Sequence, residues 1–160
     1  MKSKRDNEIY IHVPFCARKC SYCDFISFAM SEDVHKRYFD ALIYEINLKS
    51  ESVGKIPVDS IFLGGGTPSL VKEEHIIKIF TSFIHIIRVL EALNNCFDVK
   101  SDAEITIEMN PNSASLDKIK AYKSAGINRV SIGLQSTIDS ELRDLGRLHT
   151  YDEFLRTYDN

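Results

Sequence analysis

No excess of basic residues marks this chain. Its 20 Lys and Arg stand against 23 Asp and Glu, a formal net charge of −3. A polyanion-binding domain carries a basic stripe or patch, so this balance speaks against nucleic acid as the main partner. An export signal is also missing: residues 1–8 are polar and charged, without the apolar core of a signal peptide. Nor is there an unbroken apolar run of membrane-spanning length. The most apolar window, Ile76 to Leu93, is interrupted by Lys78, His85, Arg88 and Glu91 and reads as a buried or half-buried helix. The expected compartment is therefore the cytoplasm. Cysteine is scarce, with four residues, and three of them fall within eight positions. In a reducing compartment such a cluster points to metal binding or catalysis before disulfides.

What is present suffices for one domain: 160 residues, 44% hydrophobic and 27% charged, can bury a normal core. Glu8 to Val13 reads as a first strand ending at Pro14. Ser31 caps a helix through about Lys49, with Val34, Tyr38, Leu42, Ile46 and Leu48 as its apolar stripe. Gly54 and Pro57 break the chain before a second strand, Val58 to Leu63, which runs into G-G-G-T-P-S over residues 64–69. A long helix spans about Lys72 to Leu93, with Ile76, Ile77, Phe80, Phe83, Ile84, Ile87 and Leu90 as core. Ala103 to Met109 is a third strand, followed by a helix capped by Ser113 or Ser115 and stopped by Gly126. Asn128 to Leu134 is a fourth strand, and Asp139 to Leu145 a short helix. Thr150 and Glu153 have the capping-box spacing of a last one.

Strands alternating with helices predict an α/β fold of about four βα units with parallel strands. Each polar signature follows the C-terminal end of a strand: the cysteines, the glycines, Glu108 with Asn110, and Gln135. In barrels and open α/β sheets that end binds the ligand, so the four signatures converge on one rim. Cys16, Cys20 and Cys23, spaced C-x3-C-x2-C, can grip one metal centre from one side and leave one coordination position open. Two zinc alternatives stand beside an iron–sulfur cluster. Cys96 could complete a four-cysteine site, although its place after a long helix suits an ordinary thiol. His12 could be a fourth ligand, although its place within a patterned strand suits packing or a hydrogen bond at least as well.

The motifs then carry a resemblance. C-x3-C-x-aromatic-C after a first strand resembles the radical S-adenosylmethionine (SAM) superfamily. Y-I-H-V-P-F-C-x3-C-x-Y-C-D-F, G-G-G-T-P-S, E-I-T-I-E-x-N-P, G-I-N-R-V-S-I-G-L-Q-S and L-G-R-x-H, in that order from Tyr10 to His149, resemble the group of oxygen-independent coproporphyrinogen III oxidases and HemW-type heme chaperones. The resemblance implies a partial TIM-type (β/α) barrel and a 4Fe-4S cluster held by Cys16, Cys20 and Cys23. It implies SAM chelating the fourth iron, and one electron from the cluster cleaving SAM to a 5′-deoxyadenosyl radical. Tyr10, Gly65, Gly66, Thr67, Glu108, Gln135 and Arg147 would contact SAM, and Tyr22 would flank its adenine or a second SAM. Implied partners are heme or a porphyrin, a heme acceptor, and an electron donor of flavodoxin or ferredoxin type.

Each of these residues also has a plainer reading. The glycine run alone is a turn. Glu108 in a strand faces solvent or pairs with a base, and Gln135 stands similarly. Arg147 by default is a surface arginine, raised only by the L-G-R-x-H around it. Tyr22 and His149 are balanced between roles. Two departures favour the chaperone branch over the oxidase. The oxidases resemble one another in C-x3-C-x2-C-x-C, but Phe25 stands at the last position here, and only nine residues precede Tyr10. A third departure is the end at Asn160, about two turns into the last helix. The expectation is an N-terminal portion, residues 1–160, of a radical SAM core whose six-stranded barrel is incomplete.

Overall fold

The computed structural model describes residues 7–70, 79–113 and 115–160, without the side chains of residues 79–83 and 112. The elements, in chain order, are β1 (Glu8–Val13), α1 (Glu32–Val53), β2 (Pro57–Gly65), α2 (Ile79–Cys96), β3 (Asp98–Met109), α3 (Leu116–Ser124), β4 (Arg129–Ile132), α4 (Asp139–Asp144) and α5 (Tyr151–Asp159). The strands form one parallel sheet in the order β1-β2-β3-β4. Each is joined to the next by a helix, as parallel pairing requires. This is the expected βα succession.

The strands bury one face and open the other. Ile11, Val13, Ile61, Leu63, Ile105, Ile107 and Met109 are buried with Phe39 and Ile46 of α1 and Ile86, Val89, Leu90 and Leu93 of α2. Each such aliphatic side chain contributes roughly 1.5–3 kcal/mol by leaving water. The opposite face carries Tyr10, Phe62, Thr106 and Arg129 in one register row. The alternation of every strand therefore sets an aliphatic core behind the sheet and polar or aromatic groups in front.

Helix α1 runs past Lys49 to Val53, because the stop is Gly54 at φ 76°, whose N–H reaches Ser50 O at 2.8 Å. Its buried stripe is centred on Phe39 and Ile46, with Tyr38, Leu42 and Ile43 half-buried. Val34 and Leu48 are exposed, contrary to expectation. Steps of four drift about 40° each around a helix, which carries Val34 off the stripe, and Leu48 lies two positions from Ile46 on another face.

The expected start of α2 at Lys72, with Ile76 and Ile77, lies outside the described residues, as do the side chains of Phe80 and Phe83. Ile84 is 46% exposed, not core. It stands two positions from Ile86 and so faces away from the 86–89–90–93 stripe. β3 begins at Asp98, five residues earlier than Ala103, and pairs there with Pro57 and Val58 across a register irregularity. The polar Lys100-Ser101-Asp102 stretch hid this part. β4 is shorter than expected, ending at Ile132. The capping box of α5 is present, with Glu153 N donating to Thr150 Oγ1 at 3.3 Å and Thr150 N to Glu153 Oε2 at 2.7 Å.

His85, 5% exposed, stacks on Phe39 with ring centroids 4.8 Å apart, and neither of its ring nitrogens has a hydrogen-bond partner. Burial lowers its pKa first and Arg88 lowers it further, against Asp40. The unfolded chain therefore binds a proton near pH 6.5 that the folded chain refuses until lower pH. Stability is complete above about pH 6.5 and falls as the pH drops below it. The expected outcome is that His85→Leu loses less stability than wild type between pH 7 and pH 5 in urea titrations; parallel losses would contradict this.

Candidate functional site

The cysteine loop is pinched at its base. Phe15 and Phe28 form a parallel bridge, with Cys16 N donating to Phe28 O at 3.0 Å and Phe28 N to Pro14 O at 2.8 Å. Phe15 is the inward anchor, packed on His35, Tyr38 and Phe39 with centroids 3.9, 5.2 and 6.2 Å away. The far side docks on the end of α4 through Ser21 N and Leu145 O at 3.4 Å. Cys16, Cys20 and Cys23 are free thiols of intermediate exposure.

The glycine loop joins the same base. Gly66 N donates to Val13 O at 2.9 Å and Thr67 N to Phe15 O at 2.7 Å. Gly65 has φ 112°, and a Cβ there would lie 2.4 Å from the His12 ring. A Cβ on Gly66 would lie 2.5 Å from Phe15 O. Both positions therefore form a cradle that a side chain would fill. Gly65 N donates to Glu108 Oε2 at 2.9 Å, which turns that carboxylate toward the rim. The buried Thr67 places its hydroxyl 3.6 Å from Cys16 Sγ.

Arg147 crosses the rim. Its Nη2 donates to Asn110 Oδ1 at 2.6 Å and to Gly133 O at 2.7 Å; its Nη1 donates to Cys20 Sγ at 3.7 Å and Tyr22 OH at 3.4 Å. Its Nε is buried without a partner. Burial raises the Tyr22 pKa, and Arg147 opposes that shift. Gln135 adopts φ 74°, rare for a residue with a side chain. His149 is buried, with Nε2 3.1 Å from Leu134 O, so it braces the turn before Gln135.

These groups surround one open cavity of about 510 Å³, lined by Cys16, Cys20, Cys23, Tyr22, Gly65, Gly66, Thr67, Glu108, Gln135 and Arg147 among others. Tyr10 is not among its lining residues. It is 57% exposed on the front of the sheet, stacked on Phe62, with its hydroxyl 3.0 Å from His12 Nδ1. The other His12 nitrogen lies 3.0 Å from Ile26 O, so both are engaged and His12 is not placed as a ligand. Cys96 ends α2 just before β3, at the opposite end of the strands, with its thiol on Asn47 Oδ1. Neither candidate for a fourth zinc ligand is among the residues that line the cavity. Among the described residues no three His, Cys, Asp or Glu side chains converge as a single metal ion would need.

Two contributors were missed in the sequence. Asn110 was noted at its strand end, but not as the side chain that bridges Thr67 and Arg147. Lys118, 5% exposed, donates to Ser69 O and, at 2.9 Å, to Ser113 O, tying the end of the glycine loop to the turn after β3. Burial pushes its pKa down to about 7. Only its position in the first turns of a short helix was legible, and that does not distinguish it from a solvated lysine.

A cluster differs from a single ion, since three thiolates occupy three of its corners and need not meet at a point. The donor set, the glycine cradle and the orphaned Arg147 Nε fit a 4Fe-4S cluster with SAM beside it. Residues 10–160 match the radical SAM superfamily. The chain is 37% identical over 150 residues to the heme chaperone HemW of Haemophilus influenzae, covering 91% of this chain and 37% of that protein. It is 38% identical over 152 residues to the mitochondrial radical S-adenosyl methionine domain-containing protein 1 of Bos taurus, covering 93% and 31%. The solved structure of coproporphyrinogen III oxidase (HemN) from Escherichia coli, a radical SAM enzyme, matches with TM-score 0.83 and 26% identity over 97% of this chain and 34% of that one. The chain therefore spans about a third of the length of these proteins. Its four parallel strands and their helices correspond to part of the radical SAM (β/α) barrel. The chain belongs to the radical SAM superfamily, and its relatives there include the HemW heme chaperones.

Proposed function

We propose that this chain is the cluster- and SAM-carrying part of a HemW-like heme chaperone acting in the cytoplasm. The observation that carries the reading is the gathering of three thiols, the glycine cradle, Glu108, Gln135 and Arg147 around one cavity of about 510 Å³. When bound, the cluster would supply the electron for reductive cleavage of SAM. Cys16, Cys20 and Cys23 would hold three of its irons. Glu108 has Oε2 occupied by Gly65 N, which leaves Oε1 to accept from the amino group of SAM. Arg147 would offer Nε, the one N–H of its fork without a partner, to a carboxylate. Gly65 and Gly66 would let the ligand approach the backbone, Gln135 would hydrogen-bond a hydroxyl, and Tyr22 would flank the adenine or a second SAM; all four line the cavity. Heme, its acceptor and a flavodoxin- or ferredoxin-type electron donor are the partners this reading assigns.

Phe25, 69% exposed beside the cavity, supports the chaperone branch, because it leaves no fourth thiol in the C-x-C position. No helix among the described residues is long and apolar enough to cross a membrane. A second reading, radical decarboxylation of coproporphyrinogen III, is favoured by the match in fold to that oxidase. The two are separated by anaerobic incubation of the reconstituted protein with SAM, a reductant and coproporphyrinogen III, beside a heme titration. The expected results are no decarboxylated product and saturable heme binding. Turnover of coproporphyrinogen III would overturn the chaperone reading in favour of the oxidase.

A further inference from the structure

The donors and acceptors around Asn110 set the direction of one contact at the cysteine loop. The contact between Thr67 Oγ1 and Cys16 Sγ, at 3.6 Å, can in principle run either way. Arg147 has only donors, so the atom of Asn110 that it touches at 2.6 Å must be the amide oxygen. The amide nitrogen then necessarily faces Thr67, to which it donates at 2.9 Å. Thr67 Oγ1 accepts that bond, and its own hydrogen is left for the sulfur of Cys16. The other branch of the Arg147 fork donates to Cys20 Sγ at 3.7 Å. One amide thus holds two hydrogen bonds pointing at two thiols, each from a partner that touches Asn110.

The backbone of Asn110 is itself held. Its N–H donates to Ser113 Oγ at 3.2 Å, its carbonyl accepts from Ser113 Oγ at 2.7 Å, and Pro111 keeps it extended. Lys118 in turn binds Ser113 O. Turning the amide over would set its NH2 against the Arg147 fork, donor against donor.

We propose that Asn110 is a positioning residue: its amide NH2 occupies the Thr67 oxygen, so that the Thr67 hydroxyl donates to the Cys16 thiolate, beside the Arg147 donor on Cys20, and raises the reduction potential of the bound cluster. The inference rests on the reading that Cys16 and Cys20 are cluster ligands. Hydrogen bonds to ligating sulfur stabilise the more negative, reduced cluster and so shift its potential upward.

The test is a double-mutant cycle read by EPR-monitored redox titration of the reconstituted protein without SAM. Asn110→Asp keeps size and the acceptor for Arg147, but its carboxylate takes the Thr67 hydrogen and withdraws it from Cys16. Thr67→Val removes the same donor. The added charge of Asp acts in both backgrounds, so the difference between backgrounds isolates polarity. The expected result is that Thr67→Val lowers the ratio of reduced to oxidised cluster at a fixed poise about tenfold, about 59 mV for one electron. Asn110→Asp should lower it by a similar further factor in the wild-type background beyond its effect in Thr67→Val. Equal effects of Asn110→Asp in the two backgrounds, or no shift in Thr67→Val, would overturn the inference alone. A wild-type protein that takes up no cluster would overturn it together with the reading of the cysteine loop.

Discussion

Gly66→Ala is expected to destabilise the protein by about 3 kcal/mol or more and to abolish SAM binding. The added Cβ would stand 2.5 Å from Phe15 O, 2.8 Å from Phe15 N and 2.8 Å from Val13 O. All three are backbone atoms, so no flexible side chain can move aside. Two of them belong to the hydrogen bonds that join the loops, Gly66 N to Val13 O and Thr67 N to Phe15 O. Relief of the collision therefore breaks the junction between the glycine loop and the cysteine loop. Gly54→Ala is the control. It meets nothing within 4 Å but sits at φ 76° and ψ −176°, so it carries only the backbone strain of that glycine-favouring region, about 1–3 kcal/mol. Urea titration of both variants, with equilibrium dialysis of SAM, checks the ranking. A Gly66→Ala protein as stable as Gly54→Ala would show that the loops do not meet as described.

The same junction explains what was legible in the sequence and what was not. The order of strands and helices followed from periodicity and from glycine and proline at the breaks, because those signals are local. The rim followed from one rule, that chemistry collects at the C-terminal ends of parallel strands. Local signals failed where tertiary contact decides. Val34 and Ile84 are apolar and helical yet exposed, since the helix phase relative to the sheet is set by the strongest stripe. Residues 98–102 join β3 although they are polar, because Pro57 and Val58 offer them a neighbour. Asn110 and Lys118 act by bridging segments more than 40 positions apart in sequence, which no local window contains.

Cys20→Ala is expected to remove the cluster, whereas Cys96→Ala leaves it intact. Cys20 is one of three thiols on the pinched loop, and its sulfur also receives the Arg147 hydrogen bond. Loss of one of three protein ligands opens a second corner to solvent. Iron and sulfide uptake should then fall by at least about tenfold, because metal affinity is carried by the deprotonated ligands. Cys96 lies at the far end of the strands with its thiol on Asn47, so its removal touches no ligand. Both thiols are of intermediate exposure, which makes the pair a fair comparison.

The most direct test of the three-cysteine site with an open iron combines this pair with SAM. Wild-type, Cys20→Ala and Cys96→Ala proteins are reconstituted anaerobically, reduced, and followed by EPR as SAM is added. The expected result is a cluster signal in wild type and Cys96→Ala that changes saturably with SAM, and none in Cys20→Ala. A cluster that survives Cys20→Ala, or a wild-type spectrum indifferent to SAM, would contradict it.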